Sequence, residues 1–387
     1  MDPISTGLGG ALLARALPAA AGEANPSRLW TTTTLTVTVA SVLPDIDIFF
    51  QIFSAEEMAG FTSHRAFTHS YLGAVAMAPL LALAVGRIRR DLGFARLTAL
   101  ALLGFLWHIF TDLCTSWGTI VYWPFSRERV VWDILFIIDF TFTAVLLFPH
   151  LLAWIYRAPA SGEPAGAWRR GLRAGGALVA LTAALFWWGT GVLGVPYDWA
   201  LLALLLAAEA ALLAAPAVAG WGFRRPAAFY CRAGVAALAI YLGVCTGAHA
   251  VALRRVKEFS ATRGLQVEAQ AAIPQPLSPF RWSALVRTPE GIYQGWVNAL
   301  DGRAAELEFF PSARNEFVEQ AAAAPATEIY LWFARFPVAA YREDAGRHII
   351  EYTDLRFRSP YRRRNAFVFR VVLDADGRPR SAGMATD

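Results

Sequence analysis

Apolar runs close to the roughly 20 residues that a helix needs to cross a bilayer recur through the first two thirds of the chain. About eight such segments can be drawn, at approximately 4–21, 30–52, 69–86, 97–115, 133–156, 175–193, 198–219 and 229–251. The first two are interrupted. Arg15 and Pro18 break one; the other opens on four threonines, 31–34, and is broken by LPDID at 43–47. Both are expected as partial crossings buried against neighbouring helices, because irregular backbone survives at membrane depth only inside protein.

From about residue 258 the period changes. LQVEAQAAIPQPLSPFRWSALVRTPEGIYQGWVNALDG alternates apolar and polar positions between turn signals, and EIYLWFARFPVAAYRE, HIIEYTDLRFR and NAFVFRVVLDADG continue the alternation. Period-two runs punctuated in this way predict an antiparallel sheet. NEFVEQAAAA predicts one helix within it. The expected fold class is a polytopic α-helical membrane protein with a C-terminal, mainly antiparallel β (α+β) extramembrane domain. Three parts follow: a membrane-embedded domain at 1–156, additional transmembrane helices at 157–252, and an extracytoplasmic β domain at 253–387.

Composition sharpens this picture. The 387 residues are 56% hydrophobic and 17% charged, against about 25% charged in a soluble domain. The net charge of +5 comes mostly from arginines in short loops, which sets topology and gives no reason to expect nucleic acid. GRIRRDLGFAR at 86–96, YRAPASGEPAGAWRRGLR at 156–173 and GFRRPAAFYCR at 222–232 are strongly basic, so the positive-inside rule places all three in the cytoplasm. The intervening connections, including GVPYD near 194–198, and the β domain then fall on the extracytoplasmic side of a bacterial-type inner membrane. The opening MDPISTGLGG lacks the basic region of a cleaved signal peptide. Cys114, Cys231 and Cys245 form no CxxC pair, which argues against a disulfide framework or a cysteine-only zinc site.

The candidate chemistry lies where charge meets apolar sequence. Asp45 and Asp47 sit in VLPDIDIFF, His64 and His69 in FTSHRAFTHSY, His108 and Asp112 in FLWHIFTDLCTSWG, and Asp133 and Asp139 in VVWDILFIIDF. The topology drawn from basic loops brings all eight to one membrane face. Ionisable groups at that depth are costly and need partners, and metal cations supply the counter-charge for many carboxylates at once. Imidazole with carboxylate suits zinc, and also manganese or iron. His108 and Asp112 stand four apart, on one helix face. Asp133, near a helix start, suits a cap or dipole partner as well as a ligand, whereas Asp139, a turn and a half deeper in its apolar run, is a candidate metal ligand. A bridging carboxylate, Asp45 or Asp112, would hold a pair of ions able to activate water on a phosphoester. Arg65 is placed to meet phosphate oxygens, and Asp47 or Asp133 to act as general base.

These motifs carry a resemblance. LPDID, HRAFTHS at 64–70, and HIFTD at 108–112 followed by Trp117-Gly118 and WPFS at 123–126 resemble the YdjM-like membrane-bound metal-dependent hydrolases. That family is similar, at its metal site, to zinc-dependent phospholipase C and zinc single-strand nucleases. The resemblance covers about residues 1–145, and PQPLSPFRW at 274–282 looks like the C-terminal extension of some members. It implies Asp45, His69, His108 and Asp112 as metal ligands, with His64 and Asp47 as close support or further ligands. Family members open with a Thr-His pair; here Thr6 stands where that histidine would be, so that either Asp2 or Thr6 replaces it or one metal site is lost.

The expected function is a membrane-embedded metal-dependent hydrolase, holding one or two divalent ions, zinc or manganese, and cleaving a phosphoester in a lipid or lipid-linked substrate. A non-hydrolytic, metal-bound scaffold or transporter is the alternative. Trp117, Tyr122, Trp123 and Trp132 are expected at the membrane–water boundary, where Trp and Tyr are favoured. YRRRN at 361–365 is a candidate anion site or a solvated turn.

Overall fold

A computed structural model describes residues 1–19, 23, 30–52, 58–157, 165–193, 199–276, 278–358 and 367–385. GVPYD at 194–198 and YRRRN at 361–365 lie outside the described residues.

The two interrupted segments become short helices. α1 runs Pro3–Ala16, started by the Asp2 carboxylate accepting from Ser5 N at 2.8 Å and by Pro at its first position. α2 runs Thr32–Val42, capped by Thr31, and passes into a 3-10 turn at Leu43–Ile46 and a short helix α3 at Asp47–Ile52. At about 1.5 Å per residue neither α1 nor α2 spans a hydrocarbon core of about 30 Å. Both are buried against their neighbours, as Leu12, Val37 and Ala40 show.

A single turn α4, Ala59–Thr62, precedes α5 at Tyr71–Ile88 and α6 at Phe94–Leu113. α7 spans Phe140–Ile155, α8 Ala165–Leu193, α9 Trp199–Val218 and α10 Ala227–Thr262. Four stretches among the described residues are long and apolar enough to cross a membrane: Tyr71–Ile88, Phe94–Leu113, Trp168–Gly189 and Ala227–Thr262. Phe140–Ile155 and Leu202–Val218 are apolar but shorter. The structure therefore supports four spans by length and composition rather than about eight.

Close approach of α1, α2 and α6 depends on small residues. A Cβ added at Gly104 would lie 2.5 Å from the Val37 carbonyl oxygen and 2.6 Å from Ala40 Cβ. Gly104→Val is therefore expected to push α6 off α2, at an overpacking cost of about 1–3 kcal/mol. A lowered thermal midpoint in detergent checks this; an unchanged midpoint would show that the helix pair can slide apart freely.

α10 has 36 residues and continues past the composition change without a break. Its Ala248, Ala252, Val256 and Phe259 pack on Ala272, Trp282, Ala284 and Val286 of the first sheet. That sheet orders β1 (Ala269–Pro274), β2 (Arg281–Thr288), β3 (Gly291–Asn298) and β4 (Leu307–Pro311) as an antiparallel meander. The second repeats the pattern with β5 (Pro337–Asp344), β6 (Arg347–Asp354), β7 (Val368–Leu373) and β8 (Pro379–Met384). Ala271, Ile273, Leu285 and Ile292 of the first sheet share a core with Phe336 and Leu355 at the edge of the second.

Two helices, α11 at Glu316–Ala322 and α12 at Pro325–Phe333, join the sheets where the pattern predicted one. EIYLWF is helical and not extended. Pro325 starts the helix, and Thr327, Tyr330 and Phe333, three apart, form its buried face, a spacing that only a helix puts on one side.

Candidate metal centre

Four chain segments converge at one end of α6. The 3-10 turn after α2 presents Asp45, and Asp47 opens α3. A second 3-10 turn, Phe67–His69, ends at Ser70, whose hydroxyl caps α5 by accepting from Gly73 N at 2.9 Å. That cap fixes His69 just before the helix. His108 and Asp112 project from one face of α6.

The imidazoles are oriented by what their far nitrogens touch. His108 Nδ1 lies 2.7 Å from the Ser41 carbonyl oxygen, which can only accept, so Nδ1 carries the hydrogen. Nε2 then points at Asp45 Oδ1 at 3.5 Å and Asp112 Oδ2 at 3.6 Å. His69 is held similarly. Thr68 Oγ1 donates its one proton to Asp47 Oδ2 at 2.9 Å, so it accepts from His69 Nδ1, also at 2.9 Å. His69 Nε2 faces the same two carboxylates, 3.3 Å from Asp45 Oδ1 and 3.4 Å from Asp112 Oδ2.

Each imidazole nitrogen thus faces both carboxylates, in a site where His69, His108 and Asp112 are fully buried, and Asp45, His69 and His108 form a group able to hold a metal ion. His108 Nε2, Asp112 Oδ2 and Asp45 Oδ2 make no hydrogen bond. Lone pairs and carboxylates held together repel unless a cation lies between them. The spacing suits one. Ligand bonds of about 2.0–2.2 Å in a tetrahedron separate the ligands by about 3.3–3.6 Å, which is the range observed between each imidazole and each carboxylate. The residues present therefore fit a metal ion.

Asp47 stands behind this set. Its carboxylate accepts from His64 Nδ1 at 2.9 Å, Thr68 Oγ1 at 2.9 Å and Arg65 N at 3.3 Å. Asp47, His64 and His69 form a second group of metal-ligand types, but it draws on His69 Nδ1, already committed to Thr68. A carboxylate bracing the outer nitrogen of a ligating histidine is the usual outer shell of a metal site.

Arg65 does not point outward to receive a substrate phosphate. It is 3% exposed, its Nη2 donates to Asp112 Oδ1 at 2.9 Å and its Nη1 to Thr115 Oγ1 at 3.2 Å. Its backbone takes the left-handed conformation, φ 63°, a position a non-glycine residue adopts reluctantly. The amino group of Met1 also contacts Asp112 Oδ1.

Two of the expected residues take other partners. Asp133 forms a two-pronged ion pair with Arg335 of the C-terminal domain, 2.9 Å on each arm. Asp139 is the N-cap of α7, accepting from Phe142 N at 2.9 Å and from the Tyr241 hydroxyl at 2.8 Å. Residues 133–139 are not helical, so the segment drawn from 133 begins at Phe140. Thr6 is not a substitute ligand either: its hydroxyl donates to the Asp2 carbonyl within α1, and Asp2 itself caps that helix.

Ser41, Thr68, Thr115 and Arg335 were not legible as site residues. The threonines had a signal, since each adjoins or follows a ligand motif; a backbone carbonyl and a side chain from the distant β domain had none. Trp117 is taken up by aromatic rings of the C-terminal domain. It packs on Phe333, Phe357 and Phe367 with ring centroids 4.9–5.8 Å away. Tyr122 and Trp132 are exposed.

No curated protein and no solved structure matches the chain significantly. The model of the YdjM inner membrane protein family matches residues 1–195, a stretch that contains every residue of the centre, and the chain belongs to that family.

Proposed function

We propose that the protein is a membrane-embedded, metal-dependent hydrolase that cleaves a phosphoester in a lipid or lipid-linked substrate. The observation that carries the reading is that His69 Nε2 and His108 Nε2 each lie 3.3–3.6 Å from Asp45 Oδ1 and Asp112 Oδ2, while the buried His108 Nε2 and Asp112 Oδ2 make no hydrogen bond. These four would hold a divalent ion, zinc or manganese, and the commitment of His69 Nδ1 to Thr68 favours one ion over two. When bound, the ion would polarise a phosphoryl oxygen and lower the pKa of a bound water. Arg65 and Ser41 keep Asp112 and His108 aimed inward. His64 has a side chain 15% exposed, and with its Nδ1 directed to Asp47 its Nε2 would be the nitrogen that takes a proton from water. It replaces Asp47 and Asp133 in that role, since both are saturated by donors.

The lipid class follows from the rim. Phe49, Phe67, Tyr71, Leu72 and Tyr122, near the turns that carry Asp47 and His69 or after α6, are exposed, and exposed apolar residues near a site suit a membrane or lipid surface. The Asp133–Arg335 pair joins the β domain to the segment that follows α6, and the basic loops support an extracytoplasmic side for the domain and the centre.

The test uses the full chain in detergent, loaded with zinc or manganese and offered a panel of phospholipids and lipid diphosphates. Release of phosphate or diacylglycerol, abolished by chelator and by His108→Ala, is expected. Stoichiometric metal without turnover on any lipid would favour the non-hydrolytic scaffold or transporter. Absence of metal in wild type would remove the centre itself.

A further inference from the structure

We propose that the C-terminal domain is a positioning part of the metal centre, locked by Arg335 and Arg356 onto the turn that follows the ligand helix α6. The inference rests on the metal reading above. A domain that only leaned on the membrane portion would touch it through hydrated side chains. Here Asp133 and Arg356 are buried, 5% and 4% exposed, and the Arg335 side chain is 28% exposed.

Two connections lead from the domain to Asp112. The first runs through Asp133. Its neighbours Trp132 and Ile134 donate their amides to the carbonyls of Leu113 and Cys114, at 2.8 Å each. They satisfy acceptors that the end of α6 leaves open, one and two residues beyond Asp112. Asp133 sits between them at φ 53°, a conformation that a non-glycine residue holds only where its surroundings fix it. The grip of Arg335 on both carboxylate oxygens supplies that fixing.

The second connection runs through Arg356, which donates to the Ser116 carbonyl at 2.9 Å while paired with Asp354. Thr115, the preceding residue, donates its hydroxyl to the Asp112 carbonyl at 2.8 Å and accepts from Arg65. Arg65 in turn holds Asp112 Oδ1. Trp117, next along, is enclosed by aromatic rings of the domain. The turn that orients a ligand is thus held on both sides by residues more than 200 positions away in sequence. Asp133 and Arg335 act through Asp112; they are positioning residues and touch no substrate.

The experiment compares full-length wild type with Asp133→Asn, Arg335→Lys and, as a control, Arg342→Gln, whose ion pair with Asp344 is exposed on β5. Asparagine keeps the shape of Asp133 and tolerates its backbone conformation, so charge is the change tested. Zinc affinity by chelator competition and amide exchange across 112–120 and 132–135 are read on each. Asp133→Asn is expected to weaken zinc about tenfold, the low end for loss of an outer-shell partner, and to speed exchange in both segments. Arg335→Lys should fall between, and Arg342→Gln should match wild type. Wild-type affinity and exchange in a folded Asp133→Asn would overturn the proposal. Should wild type bind no zinc, the metal reading fails and exchange alone decides: unchanged exchange in the variant overturns the coupling, faster exchange sustains it.

Discussion

Asp112→Asn is expected to cost the protein both its metal and a large part of its stability. One oxygen of Asp112 faces His69 and His108, and the other receives Arg65. Neither Asp112 nor Arg65 reaches water appreciably, at 0% and 3% exposure. The amide keeps the shape but removes the charge, leaving a buried guanidinium uncompensated at about 3–5 kcal/mol. His108→Ala removes a ligand too, yet strands only the Ser41 carbonyl, at about 1–3 kcal/mol. Elemental analysis should find both variants metal-free, and thermal or denaturant midpoints should place Asp112→Asn well below His108→Ala. Equal midpoints would mean that Arg65 does not depend on Asp112 for its counter-charge.

Asp354→Ala should be the comparable lesion in the C-terminal domain. The carboxylate is fully buried. It accepts from Arg356 Nε and Nη2 at 2.7 Å and from the amides of Arg335, Phe336 and Arg356 at 3.1–3.3 Å. Burial pulls the Arg356 pKa below its usual value, with the Asp354 charge opposing that shift. Alanine leaves the arginine unpaired and three amides without an acceptor, a loss of about 3–5 kcal/mol. Denaturation followed by aromatic fluorescence checks the magnitude. Asp354→Asn, which retains an acceptor for the amides, should lose less. A wild-type midpoint in Asp354→Ala would imply that water enters to solvate Arg356.

Much of this arrangement was legible in the residues. The i, i+4 pair His108 and Asp112, the LPDID turn and HRAFTHS named the centre because ionisable side chains are too costly in apolar segments to be there without partners. The interruptions at Pro18 and LPDID foretold two helices too short to cross. The alternation after residue 258 foretold the sheets. The misreadings share a cause. Asp133 and Asp139 looked like their neighbours because composition records depth in the membrane and not direction. One turned to Arg335, the other to the first turn of α7. EIYLWF alternates over too few residues for the period to be decisive, and Pro325 together with the surface available for Tyr330 and Phe333 chose the helix.

By itself, then, the sequence determined which segments are apolar enough to leave water, which period each follows, and which side chains could not be buried without a counter-charge. Those are local properties, set by side-chain chemistry and by repeats of 2 and about 3.6 residues. The tertiary structure decided which nitrogen of each histidine faces inward, which carboxylates face those nitrogens and which are caps or latches, and that the C-terminal domain grips the turn beside Asp112. These depend on atoms such as the Ser41 carbonyl, Thr68 Oγ1 and Arg335, brought within about 3 Å only when the chain folds, since a hydrogen bond's direction and reach are fixed by geometry and not by separation along the chain.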